Sequence, residues 1–394
     1  LLPPQQKEES VDILIAGVSA RGMVESAVRS GLHHRIVAVD YFGDFDLGLL
    51  CTHRSIKRDL TPPYDPRHLI QASAGLTFDA LVYVANLENH PSVVEVMAGG
   101  KPILGNSPAV LASVRDPARF FEFLVRAGIP APKIAFSSKP LNLDSDIRWL
   151  RKPLRSGGGH EIAVHLPEDR LEPGFLLQEY LDDLPCGAVF AADGRDACLL
   201  GISEQLVGRT EFGADGFRYC GSILGSMAAG QAEWGDLVGS ISQVIRAITR
   251  EFHLVGVNGI DFILKGQTVY PIEINPRSTA SMELVERAYG LNIFTIHLDA
   301  CQGRLPDFHL LAHPDSGCFG KAILFASQTL IFQDPQRWFD QGARDLPLAE
   351  EQIAQGKPVC TVFSRGQSRS ECFDRLTRVS AEIESTCLHA TTPA

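Results

Sequence analysis

Between Val11 and Leu104 short apolar runs alternate with segments of helical periodicity. Val11-Asp-Ile-Leu-Ile-Ala-Gly17 is nearly continuous in apolar character, as a parallel strand buried on both faces requires, and Gly17 to Gly22 then opens a helical stretch to about Ser30. A second strand is expected over Arg35 to Asp40, and further ones over Ala80 to Ala85 and Pro102 to Leu104, flanking a helix from Pro91 to Ala98. Strands alternating with helices predict a doubly wound, Rossmann-like α/β layer over residues 11–112.

The pattern changes after that. Pro117 suits a first helical turn, Arg119 to Ala127 is amphipathic, and Gly128-Ile-Pro130 ends the helix. Residues 113–302 then read as α+β: short strands at Trp149 to Lys152, Phe175 to Glu179 and Ala188 to Ala191, a helix from Leu237 to Phe252, and two strands around Gly266. The remainder, 303–394, predicts a small α+β domain with strands near Lys321 to Phe325 and Val359 to Phe363 and a helix over Ser370 to Glu384.

Composition agrees with several cores. At 394 residues and 45% hydrophobic content the chain exceeds the ~250 to 300 residues at which single cores stop growing. No apolar run is long enough to cross a membrane, and Leu1 to Ser10 is polar and proline-bearing, so a cytoplasmic protein is expected. Nine cysteines, no two of them two residues apart, argue for reduced thiols and against a zinc knuckle or redox pair. A net charge of −11 with no basic block argues against nucleic acid, whose binding rests on neutralising phosphates, and favours small-molecule partners.

The densest chemistry runs from Gly259 to Arg277. Side chains alternate along a strand, so Glu273 and Asn275 share one face, and a hairpin through Gly266 brings Asp261 onto it. Two carboxylates and an amide are hard oxygen ligands suited to magnesium, and Arg277, two residues further on, is placed to steady a phosphoryl group. A solvated strand face also carries such residues. Two other elements tip the balance. In Trp149-Leu-Arg-Lys152 a strand delivers a fixed cation, and Ser156, Gly157, Gly158 and Gly159 follow as a loop whose amides can fold over phosphates. In Phe175-Leu-Leu-Gln-Glu-Tyr-Leu-Asp-Asp183 an apolar strand ends in polar residues; a backbone donor and acceptor at Glu179 to Leu181 suit an adenine edge, and Asp182 or Asp183 suits ribose hydroxyls.

Lysine with glycine loop, then Gln178-Glu-Tyr-Leu181, then Asp261 with Glu273-Ile-Asn-Pro-Arg277 resemble, in this order, the ATP-grasp superfamily. Arg126-Ala-Gly-Ile-Pro-Ala-Pro132 resembles the entry to its nucleotide-binding domain. Gly17-Val-Ser-Ala-Arg-Gly22, Val39 to Asp46 and Gly356-Lys-Pro-Val-Cys-Thr-Val362 look most like predicted carboligases related to biotin carboxylase. The resemblance implies an ATP-grasp fold over 113–302, preceded by the α/β domain and followed by a reduced biotin-carboxylase-type C-terminal domain. It also implies ATP at Lys152, the glycine loop and the hinge of Gln178, Glu179, Tyr180, Leu181 and Asp182. Mg2+ (or Mn2+) would sit at Asp261, Glu273 and Asn275, with a phosphate role for Arg277. Relatives place a lysine near Val114 to Arg119, where this chain has only Arg115 and Arg119; either arginine could serve as the second phosphate cation.

A ligase follows from the resemblance: ATP activates a carboxylate as an acyl phosphate and an amine or similar nucleophile displaces phosphate, with methanofuran-type one-carbon cofactor precursors as a lead. Bicarbonate-using carboxylation or carbamoyl-phosphate formation is the alternative enzyme, a non-catalytic ATP-binding regulator the alternative class, and homodimerisation is common among such enzymes. Substrate-side candidates are Arg21 at a helix start, which would favour an anion unless Glu25 takes it, Glu88 and Asn89 at the end of a sheet strand, and Gln205 and Tyr219. A nicotinamide site at Gly17 to Gly22 with Asp40 is disfavoured by its glycine spacing.

Overall fold

The computed structural model describes residues 10–60, 63–136, 147–166, 169–225, 231–313 and 317–389; of the opening stretch Leu1 to Ser10, all but Ser10 lies outside the described residues. Strands β1 (Asp12–Ala16), β2 (Arg35–Asp40), β3 (Thr52–Ser55) and β4 (Ala80–Tyr83) form a parallel sheet in the order β3-β2-β1-β4. Helices α1 (Arg21–Arg29), α2 (Phe45–Leu50), α3 (Arg67–Ser73) and α4 (Pro91–Ala98) cover it. The unbroken apolar run of β1 is explained by burial on both faces: Ile13 and Ile15 pack with Met23, Val24 and Leu47, whereas Leu14 and Ala16 pack with Leu69, Val93 and Val94. The strand expected at Pro102 to Leu104 is reduced to a single parallel bridge between Leu81 and Ile103, since Pro102 has no N–H to extend the ladder.

Two short helices, α5 (Pro108–Val114) and α6 (Pro117–Arg126), each begin with proline after a side-chain cap, Ser107 and Asp116. A second sheet follows, of β5 (Ile134–Ala135), β6 (Trp149–Pro153), β7 (Ala163–His165) and β8 (Phe175–Glu179), in the antiparallel order β5-β8-β6-β7.

The third sheet is the largest. It contains β9 (Leu184–Asp193), β10 (Ala197–Val207), β11 (Tyr219–Leu224), β12 (Val255–Lys265), β13 (Thr268–Asn275) and β14 (Cys318–Phe325). Helices α7 (Gln231–Phe252), α8 (Met282–Tyr289) and α9 (Ile293–Cys301) lie along the same stretch of chain. Beyond them come the small pair β15 (Leu330–Ile331) and β16 (Gln352–Ile353), α10 (Pro335–Asp340), β17 (Pro358–Gly366) and α11 (Arg369–His389). The order β13-β12-β9-β10-β11-β14-β17 makes the strands of the C-terminal segment an extension of the central sheet, with Ile223 on β11 opposite Gly320 on β14. No helix among the described residues is long and apolar enough to cross a membrane.

Candidate active site

The β12–β13 hairpin turns at Gly266, whose φ of 60° is the left-handed conformation that glycine adopts most readily. Its register sets Asp261 opposite Glu273 and Gly259 opposite Asn275, with a bulge after Asp261. Asn275 Nδ2 donates to Asp261 Oδ2 at 2.9 Å, and Gln205 Nε2, on β10, donates to Asp261 Oδ1 at 2.7 Å. Gln205 reaches across β9 because the residue between is Gly187, where a Cβ would stand 3.0 Å from the Gln205 amide nitrogen. The three residues expected to hold metal thus lie together, and Gln205 joins them.

Burial, followed by the charge of Glu273, pushes the Asp261 carboxyl up to about 6. Glu273 goes the other way: burial opposes its charge, but Arg115 and Lys152 outweigh that, and its carboxyl is held below the usual range. Two adjacent carboxylates and an amide oxygen, with one acid driven toward its neutral form by its neighbour and by desolvation, fit a divalent cation, which would relieve both causes.

Three cations ring this pair. Lys152 Nζ donates to Gln178 Oε1 at 3.1 Å, and desolvation lowers its ammonium pKa despite the attraction of Glu273 and Asp261. Arg115 Nη1 donates to Glu273 Oε1 at 2.5 Å and to the Ile274 carbonyl at 2.9 Å, while its Nε and Nη2 hold Asn89 Oδ1. Arg119 is exposed and lies over the Phe252 ring, so of the two arginines Arg115 reaches the carboxylates. Arg277 Nη2 donates to Asn275 Oδ1 at 3.1 Å and to Glu88 Oε1 at 2.8 Å.

The glycine loop closes over this floor. The Ser156 carbonyl accepts from Asn89 Nδ2 at 3.3 Å, and the Gly158 carbonyl accepts from the Tyr219 N–H at 3.0 Å. Tyr219 itself shares a hydrogen bond with Ser222 Oγ, and burial raises its phenol well above its ordinary value. At the hinge, Glu179 N–H is given to the Lys133 carbonyl and Tyr180 N–H to the Arg148 carbonyl, leaving Leu181 N–H without a partner among the described residues. The donor expected anywhere over Glu179 to Leu181 is therefore narrowed to Leu181. Asp182 Oδ1 accepts from the Tyr180 hydroxyl at 2.9 Å.

Arg21 requires a correction. Its guanidinium is 1% exposed, and all five of its N–H groups are used: by Glu25, twice by Glu283 and twice by Asp345. No donor is left for a substrate anion. The local partner Glu25 was legible at the i+4 position; Glu283, Lys321 bonded to it, and Asp345 were not, because they arrive from the far end of the chain.

The glycine loop, three cations and a carboxylate pair thus lie together where two antiparallel sheets meet, a set of groups with the chemistry to hold phosphates. Residues 114–281 match the family model described as "ATP-grasp domain". This stretch of the chain is therefore similar to ATP-grasp domains. An uncharacterised protein of Methanocaldococcus jannaschii is 20% identical over 91% of this chain and 89% of its own length. The biotin carboxylase domain of Hydrogenobacter thermophilus 2-oxoglutarate carboxylase, solved as a dimer with MgADP, ADP and bicarbonate, superimposes with a TM-score of 0.70 at 14% identity, covering 95% of this chain and 90% of that one. L-amino acid ligase of Bacillus licheniformis gives 0.67 at 14% identity, over 95% and 98%. The carbamoyl phosphate synthase large chain of Thermotoga neapolitana is 23% identical over 59% of this chain, which spans only 23% of that protein.

Proposed function

We propose that the protein is an ATP-dependent carboxylate–amine ligase acting through an acyl phosphate. The observation that carries this reading is the convergence of Lys152, Arg115 and Arg277 on the Asp261, Glu273 and Asn275 cluster beneath the glycine loop. Adenine would lie at the hinge, with Leu181 N–H as donor; Gly157 to Gly159 and Lys152 would hold the phosphates. Magnesium, held by Asp261, Glu273 and Asn275, would supply charge neutralisation for the transferring phosphoryl group. Arg277 then faces the phosphoryl and acyl oxygens, and Arg115 exchanges Glu273 for phosphate. No protein nucleophile is needed; positioning and charge do the chemistry.

The test is ADP release on offering candidate acids with amines, methanofuran-type precursors first. Bicarbonate-dependent release without an acid would instead support the carboxylase or carbamoyl-phosphate reading, which the biotin carboxylase and carbamoyl phosphate synthase likenesses favour.

Gly159 offers a sharper probe of the loop. Its φ is 77°, and a Cβ there would stand 1.9 Å from the Phe217 carbonyl oxygen. Gly159→Ala is expected to raise KM for ATP by about tenfold, ~1.4 kcal/mol, through left-handed strain and displacement of the loop. Gly157→Ala, with open space around it, leaves KM unchanged. Equal KM values for the two variants in a steady-state ATP titration would remove the loop from the phosphate site.

A further inference from the structure

Glu88 is completely buried, and its two oxygens have different fates. Oε1 accepts from Arg277 Nη2 at 2.8 Å, whereas Oε2, equally shut from solvent, has no partner among the described residues. Arg277 repeats the pattern: Nη1 is held by the Ser278 carbonyl and Nη2 by Asn275 and Glu88, but its buried Nε is unpartnered. Leaving such groups unpaired costs about 1 to 3 kcal/mol each. An acceptor on Glu88 and a donor on Arg277 are thus left over within one ion pair, whose arginine is already bonded to Asn275.

The geometry points to a substrate pair that fills both: the acyl or phosphoryl oxygen on Arg277 Nε, and the N–H of an incoming amine on Glu88 Oε2. This rests on the acyl-phosphate reading above and deepens it by making Glu88 the group that binds and deprotonates the nucleophile. The amine arrives as an ammonium ion and gives one proton to Oε2. Its nitrogen lone pair attacks the carbonyl carbon, the C–N bond forms, and the bond from that carbon to the phosphate oxygen breaks with its electron pair leaving on phosphate. Phosphate takes the second nitrogen proton, and Glu88 gives up the first as the products leave. The charged and titratable groups facing Glu88 are Arg277, Arg115, His90, Tyr64 and Tyr83.

The experiment compares two nucleophiles on the full chain with MgATP and the acid that supports ADP release. Hydroxylamine, neutral at neutral pH, needs no base; methylamine, protonated there, does. In Glu88→Gln, hydroxamate formation is expected to stay within about threefold, while N-methylamide formation falls by about 100-fold and recovers steadily as pH rises and free methylamine accumulates. Equal losses with both nucleophiles would make Glu88 only a support for Arg277, and an unchanged methylamine rate would leave it no role; either overturns the inference. Should Glu88→Gln fail to fold, Glu88→Asp carries the same comparison, with methylamine again expected to suffer more than hydroxylamine and equal losses again fatal. A wild-type chain that releases no ADP with any acid fails earlier, and takes the ligase reading down with this one.

Discussion

Glu273→Gln is expected to lower kcat for ATP turnover by about a thousandfold with little change in nucleotide KM. The substitution keeps volume and one oxygen, so the hairpin register and the Arg115 hydrogen bond have a surviving partner; what disappears is the negative charge. That charge holds Arg115 at 2.5 Å and is part of what drives Asp261 up to about 6. Without it, the cation site loses one of its two carboxylates, and Arg115 is left with neutral acceptors: the new amide, the Ile274 carbonyl, Asn89 and the Ser156 carbonyl. Steady-state ADP release separates kcat from KM, and a thermal shift with MgADP reports whether the fold and the adenine subsite persist. A Glu273→Gln protein with undiminished turnover would sink the metal assignment.

Arg21→Met is expected to be the most damaging change to stability. Arg21 lies at the junction of α1, α8 and the loop before β16, and it touches Glu25, Glu283 and Asp345 directly, with Asp46 at 3.5 Å. Removing one partner of a buried ion network leaves the others uncompensated, at a cost of about 3 to 5 kcal/mol, or roughly 4 to 6 °C in the thermal midpoint of a chain this long. Arg35→Met, which removes an exposed pair with Asp12, is expected to leave the thermal midpoint nearly unchanged. Similar shifts in the two variants, measured by calorimetry, would show that the buried network adds nothing.

The same region sets a pH dependence. Burial disfavours the charge of Glu283, but Arg21 and Lys321 outweigh it and hold its carboxyl far below the ordinary 4.5. The stability it contributes is therefore complete above that value and is lost as pH falls below it. Asp40 and Asp46 act in the opposite sense: desolvation raises them from 3.8 to about 7 and about 6, so folding takes up protons and stability grows as pH falls from neutral toward their unfolded value. The wild-type midpoint is expected to peak between about pH 4 and 6 and to decline on either side.

Much of this protein was determined by sequence alone, because the signals involved are local. Val11 to Ala16 could only be a doubly buried strand, Pro91 to Ala98 was a helix to the residue, and Gly266 marked the hairpin turn; the bulge after Asp261, which shifts the register by one residue and so sets Asp261 against Glu273, was not legible. Lys152, the glycine loop and the 261–277 cluster were legible because each chemical role lies within one or two consecutive elements. The tertiary structure decided what depends on contacts between distant segments. It brought Arg115 to Glu273, 158 residues away, and left Arg119 on a phenylalanine ring. It gave Arg277 to Glu88 and spent Arg21 on Glu283, 262 residues along the chain. An arginine in a sequence announces a charge and five donors, but not which carboxylates folding will bring within reach; that follows only when the sheets pack and burial makes every unpaired group costly.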